Sequence, residues 1–248
     1  MPNRNDDLGT WLAYLERLHP RAIDLGLERV WQVYQKLHSP RPAPVCILVG
    51  GTNGKGSTVA FLVSMLNAAG YRVGCYTSPH LLRYNERVQI AGMDASDRQL
   101  VDAFAHIDAA RGDISLSYFE FGTLAAFLCL ADADLDVAVL EIGLGGRLDA
   151  VNLIDADVAI LTSVDLDHQE YLGDTREAIG WDKAHIFRAG RPAVVADLQI
   201  PNSVLEVAHN LGVALALIPP LPSSNNGDWT CPLPNATHLQ LPTPKLAA

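Results

Sequence analysis

Residues 45–59 read VCILVGGTNGKGSTV, and this stretch restricts the fold more than any other part of the chain. VCILV is a short, continuously apolar run of the kind needed by a strand covered on both faces. A glycine-rich turn follows at once, and residues 57–69 then read as a helix stopped at Gly70. In the sequence strand, glycine turn, helix, backbone N–H groups can surround phosphate oxygens at the helix N-terminus, where the helix dipole favours an anion. Gly51, Thr52, Asn53, Gly54 and Gly56 would form the cradle. Lys55 can reach terminal phosphates and the Ser57 hydroxyl can ligate a phosphate-bound magnesium ion. One feature departs from the usual phosphate loop: Gly56 stands between the lysine and the hydroxyl residue. The bare alternative is a glycine-rich turn with no ligand.

The same alternation of short apolar runs and helical periods continues along the chain. Strands are expected at 71–76, 136–142, 157–163, 192–196 and 213–218, with helices near 97–110, 119–131, 175–187 and 203–210. An earlier helix is expected over 24–37, where Leu27, Val30, Trp31, Tyr34 and Leu37 recur three and four apart and Asp24 is placed to cap. Strands alternating with helices imply an α/β fold: a P-loop NTPase-like, mostly parallel sheet with helices on both faces. Residues 1–218 are expected to form this domain. Prolines and asparagines crowd residues 219–248, which are expected to be a peripheral segment leading into a linker.

Composition narrows the function. The chain has 248 residues, 49% of them apolar and 19% charged, enough apolar material for one large core. The formal charge of −10 argues against general nucleic-acid binding, which needs clustered Lys and Arg, so any anionic ligand must be held locally. The longest apolar run, 124–131, is far short of a membrane helix, and the first ten residues hold no signal core, so a soluble cytoplasmic protein is expected. Cys46, Cys75, Cys129 and Cys231 are widely spaced and lack a CxxC or Cys/His pairing, and are read as reduced small hydrophobes.

Two segments belong beside the glycine loop. Glu141 ends an apolar strand, and a buried carboxylate is unfavourable unless paired or metal-bound. DLDH (165–168) follows the next strand. In open parallel sheets ligands bind beyond the carboxyl ends of the strands, so Glu141 and His168 should face the phosphates. Alone, His168 could equally be a solvated loop histidine, Lys183 a solvated cation and Arg147 a surface charge.

GTNGKGS, TSPHLLRYNERV, SYFEFGT, LEIGLGGRLDAVN, DLDHQEYLGDT and DKAHIFR occur in this order between about residues 11 and 201. Together they resemble the dihydrofolate synthase and folylpolyglutamate synthase family of the Mur-ligase superfamily, in which a glycine does separate the loop lysine from the hydroxyl residue. The resemblance implies an ATP-driven ligase: a carboxylate of dihydropteroate or of a folate is phosphorylated, and the amine of L-glutamate displaces the phosphate to form an amide. It implies that Gly54, Lys55, Gly56 and Ser57 hold the triphosphate. It further implies that Ser57, Ser78, Glu141 and His168 ligate magnesium, at two sites, with a monovalent cation as a further candidate. Lys183 matches a lysine that is carbamylated in relatives, which would make it a metal ligand. Lys55, His168 and Lys183 are thus the expected catalytic residues.

The pterin is expected against Ile23, Asp24 and Leu25, against Ser117, Tyr118, Phe119 and Glu120, and against Leu148, Asp149 and Ala150. On their own, Phe119 could pack in the core and Asp24 could cap a helix. Asp182 and His185 depart from the family pattern beside Lys183, and the histidine is expected to disturb that lysine. Relatives continue into a smaller C-terminal α/β domain, so little turnover is expected of these 248 residues alone. Two other readings stand beside the ligase: a non-catalytic nucleotide or pterin-binding module acting with a partner, and a ligase acting on cell-wall precursors. The family resemblance favours a monomer.

Overall fold

In chain order the elements are α1 (Leu8–Leu18), α2 (Glu28–Lys36), β1 (Val45–Gly50), α3 (Lys55–Ala68), β2 (Val73–Tyr76), β3 (Val88–Ile90), β4 (Met93–Asp94), α4 (Asp97–Arg111), α5 (Tyr118–Ala131), β5 (Val137–Glu141), β6 (Val158–Leu161), α6 (Gln169–Leu172), α7 (Arg176–Ala184), β7 (Pro192–Val195), α8 (Asn202–Asn210), β8 (Ala214–Leu217), β9 (Asp228–Pro232) and β10 (His238–Pro242). Short 3-10 turns occupy Tyr84–Arg87 and Ala150–Leu153. The structure, a computed structural model, describes residues 1–21, 23–218, 228–232 and 238–242. The Pro/Asn-rich segment expected at 219–248 lies largely outside the described residues; within it, β9 and β10 pair antiparallel.

The sheet of eight strands has the order β4-β3-β2-β5-β1-β6-β7-β8. β1 is central, parallel to β5 on one side and β6 on the other. The chain crosses from one side of β1 to the other, and the crevice beyond the carboxyl ends of β1, β5 and β6 is where such sheets accept ligands. Not all strands are parallel. β3 and β4 run antiparallel at the edge, joined through Ala91 and Gly92, both at positive φ as a tight hairpin turn requires.

Alternate strand residues face two unequal apolar layers. Cys46, Leu48, Tyr76, Ala138, Leu140 and Leu161 join the larger one with α1, α2, α4, α5, α7 and α8. Ile47, Val49, Val73, Cys75, Val137 and Val139 face the other side, where Val59, Leu62, Val63 and Leu66 of α3 cover them. Both faces are therefore covered, one of them among the described residues by α3 alone. That explains why Phe61 and Met65 on its outer side are 50% and 59% exposed.

Three expectations need correction. α2 begins at Glu28, with Leu27 at the N-cap and no side-chain cap, so Asp24 does not cap it. Its buried stripe is Val30, Val33, Tyr34 and Leu37, whereas Trp31 is 43% exposed. Helix α1 is additional: Asp7 accepts from the Thr10 N–H at 2.7 Å, and Leu8, Trp11 and Leu15 fall on one buried face. The apolar run 124–131 is the heart of α5, buried on every side from Glu120 to Leu130 and opened by a Ser117–Glu120 capping box. Among the described residues no helix is long and apolar enough to cross a membrane. Cys46, Cys75 and Cys129 are buried free thiols.

Candidate functional site

The glycine loop is braced from behind by the end of β6. Thr162 Oγ1 donates to the Asn53 carbonyl at 2.7 Å, Ser163 Oγ accepts from the Asn53 N–H at 3.0 Å, and the Thr52 N–H donates to the Ser163 carbonyl at 2.8 Å. This contact dictates glycine at position 51: its φ is +141°, and a Cβ there would lie 1.9 Å from Thr162 Oγ1. Gly54, at φ +82°, caps α3, which starts at Lys55. Lys55 Nζ folds back to donate to the carbonyls of Gly51 at 2.9 Å and Thr52 at 3.2 Å. Gly56 and Ser57 are exposed on the first turn, so their backbone N–H groups and the dipole of α3 point into open space above β1.

Glu141 closes one side. It is 5% exposed and accepts from the Ser78 N–H at 2.9 Å. Burial raises its pKa, against the Ser78 hydrogen bond and the nearby Lys55 charge. Its carboxylate faces the first turn of α3, since a Cβ on Gly56 would be 3.8 Å from Glu141 Oε1. Lys183, on α7, is 2% exposed, and burial followed by repulsion from Lys55 lowers its pKa to about 8, opposed by Asp167, Asp182 and Asp149. His185, expected to disturb this lysine, instead turns its Nδ1 to the Trp181 carbonyl at 2.6 Å and packs at an interplanar angle of 59° against the Trp181 ring. Arg147 is not a free surface charge: it lies 3.5 Å from Asp182 and over the same Trp181 ring.

Beside the loop, a cavity of about 270 Å³ opens between the 23–26 segment, the start of α5 and the turn after β5. Ile23, Asp24, Leu25, Ser117, Phe119, Glu120, Leu148, Asp149 and Ala150 line it, together with Ser78 and His168. Tyr118 does not; it packs edge-on against Tyr84. His168 sits at φ +46° before the short α6, its Nε2 3.6 Å from Asp167. Lys55, Glu141 and Lys183 stand outside the cavity wall, Glu141 being joined to it through Ser78.

The cavity's acidic groups are already engaged. Arg29 bridges Asp24 at 2.9 Å and Glu120 at 3.1 Å, while His19 lies 3.1 Å from Asp24 and 2.6 Å from Ser115 Oγ. Asp149 is 3% exposed, accepts from the N–H groups of Leu144 at 2.8 Å and Val151 at 2.9 Å, and burial raises its pKa to about 6. Phe119 forms an apolar wall pressed on Gly143, where a Cβ would be 2.5 Å from the ring.

Sequence reasoning missed Arg29, Arg87, Pro79, Gly143 and Leu144. Arg87 and Pro79 sit inside the TSPHLLRYNERV motif and Gly143 and Leu144 inside LEIGLGGRLDAVN, so the motifs carried the signal; Arg29 had none. Among the described residues no three His, Cys, Asp or Glu side chains converge as a ready-made cation cage. A cation here would therefore draw on Glu141, hydroxyl oxygens and ligand oxygens, a donor set that suits a hard ion such as magnesium. Glu141, buried with one N–H donor, fits that use.

The Mur ligase middle domain model matches residues 49–214. The dihydrofolate synthase/folylpolyglutamate synthase of Escherichia coli strain K12 is 52% identical over 214 residues, 86% of this chain and 51% of that protein. The structure of E. coli FolC in complex with DHPP and ADP superimposes with a TM-score of 0.90 at 49% identity, covering 93% of this chain and 56% of that one. A bifunctional folylpolyglutamate synthase/dihydrofolate synthase from Yersinia pestis, complexed with AMPPNP and Mn ion, gives a TM-score of 0.88 at 50% identity, covering 96% and 58%. The chain thus spans about half the length of the curated relatives it matches. With the loop, the sheet order and these matches in agreement, the chain belongs to the Mur ligase middle-domain family, in its dihydrofolate synthase/folylpolyglutamate synthase branch.

Proposed function

We propose that this chain forms the nucleotide- and pterin-holding part of an ATP-dependent ligase that joins L-glutamate to dihydropteroate and to reduced folates. The observation that carries the reading is the union of two sites through one residue. Ser78 lines the cavity and its N–H holds Glu141, which faces the first turn of the phosphate loop helix. A flat aromatic acid in that cavity would have its carboxylate brought toward the γ-phosphate of ATP.

In this reading Phe119 supplies the stacking face, and Asp24 and Asp149 accept from pterin N–H groups. The loop N–H groups and Lys55 hold the phosphates; Lys55 exchanges its two loop carbonyls for phosphate oxygens. Ser57, Ser78, Glu141 and His168 would hold a divalent cation, which when bound neutralises charge on the phosphates. The carboxylate oxygen attacks the γ-phosphorus and ADP leaves; the amine of glutamate then attacks the acyl carbon, phosphate leaves, and the amine loses a proton to give the amide. Positioning and charge neutralisation are the whole task of such a site. Lys183 has the property that carbamylation needs, a buried amine with a lowered pKa: at pH 7.5 about a quarter of it is neutral, against about a thousandth for an ordinary lysine. A cytoplasmic setting agrees with the three buried free thiols.

Titration calorimetry of 7,8-dihydropteroate into the 248-residue chain with magnesium AMP-PNP present tests this reading, with Phe119→Ala as the control. Saturable binding that weakens tenfold or more in the variant is expected. A folded chain that binds nucleotide but no dihydropteroate would refute the pterin assignment and leave a nucleotide-binding module.

A further inference from the structure

The cavity holds one Lys or Arg in its wall, Arg87, and that residue has no counter-ion. Arg87 is 9% exposed and ends the 3-10 turn Tyr84–Arg87, where its carbonyl accepts from the Thr77 N–H at 2.9 Å and so is tied to the end of β2. Its Nε donates to His80 Nδ1 at 2.9 Å, which makes the partner a neutral acceptor. Its guanidinium carbon lies 5.3 Å from the Tyr84 ring centre and 5.7 Å from that of Tyr118. Among the described residues no carboxylate comes within ion-pair distance, and the buried Tyr76 hydroxyl beside the guanidinium is a neutral partner.

Other arginines nearby are paired with carboxylates of the protein. The buried Arg111 pairs with Asp108 at 2.7 Å and donates to the carbonyls of Gly112 and Ile114, and Arg29 holds both Asp24 and Glu120. None of the cavity acids reaches Arg87: Asp24 and Glu120 pair with Arg29, and Asp149 accepts from backbone N–H groups. Aromatic faces attract a cation but are worth less than a charge-assisted hydrogen bond. A buried guanidinium left without an anion is strongly unfavourable, whereas its planar fork matches a carboxylate with two parallel hydrogen bonds.

We propose that Arg87 binds the carboxylate of the acid that occupies this cavity, and so selects for acids over neutral pterins and presents that carboxylate beside Ser78. The assignment rests on the pterin reading of the cavity and adds the group that reads the anionic end of the ligand. Tyr76, Tyr84, Tyr118 and His80 are its positioning shell and hold the guanidinium at the cavity wall.

The test compares 7,8-dihydropteroate with its carboxamide, by calorimetry, on wild type, Arg87→Gln and Arg87→Lys, with near-ultraviolet circular dichroism as the check of folding. Loss of one charge-assisted pair predicts that Arg87→Gln weakens the acid about 10- to 100-fold and the carboxamide less than about twofold. Arg87→Lys, which keeps the charge but not the fork, should recover part of the difference, and carries the test if the glutamine variant does not fold. Equal weakening of both ligands would overturn the assignment and leave Arg87 a wall residue. Weakening of AMP-PNP with the acid unchanged would also overturn it, by making a nucleotide phosphate the occupant. Wild type that folds and binds neither pterin would instead reject the reading of the cavity itself.

Discussion

Replacing Lys183 by methionine should stabilise the ligand-free chain, because the lysine is held where its charge is least welcome. Its pKa falls from 10.5 to about 8 on folding, with burial the largest cause and Lys55 the next. The unfolded chain therefore binds more protons than the folded one between about pH 8 and 10.5, so stability rises with pH across that window, and below it the whole burden is present. At pH 7 this amounts to about 3 kcal/mol and at pH 9 to about 2 kcal/mol. Methionine keeps most of the volume and removes the charge. For a chain of this size the gain corresponds to a rise in Tm of roughly 6–12 °C at pH 7. Urea denaturation of both proteins in carbonate-free buffer at pH 7 and pH 9 measures it, and the advantage of the variant should shrink by about 1 kcal/mol at the higher pH. Adding bicarbonate should narrow the gap further, since a carbamylated lysine is no longer a cation, and should leave the methionine variant unchanged. A variant no more stable than wild type at pH 7, with no dependence on pH, would refute the reasoning.

Gly51→Ala should lose nucleotide binding and cost about 2–4 kcal/mol by urea denaturation, since its Cβ would lie 1.9 Å from Thr162 Oγ1 at a φ of +141°. Gly143→Ala should push the Phe119 ring, 2.5 Å from the added carbon, into the cavity; a tenfold or greater loss of dihydropteroate affinity with nucleotide affinity intact is the expected calorimetric result. Asp149, with its pKa raised from 3.8 to about 6, contributes stability below pH 3.8 that is lost as pH rises through 6. Relative to Asp149→Asn, wild type should therefore lose about 3 kcal/mol between those limits, as read from paired denaturation curves. A flat difference would mean that the folded carboxyl titrates as it does in the unfolded chain.

Local sequence determined the elements and their chemistry. Continuous apolar runs such as VCILV can be satisfied only as strands covered on both faces, and the glycines after β1 can only be a loop that lets a backbone or a phosphate approach closely. The helix at 118–131 and the parallel core of the sheet were legible for the same reason, each being a period or composition confined to one segment. The motifs also named most of the residues that come to line the cavity. Where reasoning missed, the cause was nonlocal. The antiparallel edge of β3 and β4 depends on a two-residue turn between strands of three and two residues, too short to show a period. Trp31 fits the helical period but is half exposed, because Val33 and not Trp31 joins Val30, Tyr34 and Leu37 in the stripe that packs.

Only the tertiary structure decided how charges are paired. Asp24 has the sequence position of a cap, yet it meets Arg29 and His19, and Arg29 also meets Glu120 from an element 91 residues away. Lys183 and Arg87 look like any surface cations in the sequence. The first is 2% and the second 9% exposed because α7 and the turn before β3 carry them in against distant segments. Sequence fixes which groups can ionise, but their free energy depends on the dielectric and the partners around them, and those exist only once distant segments have packed together.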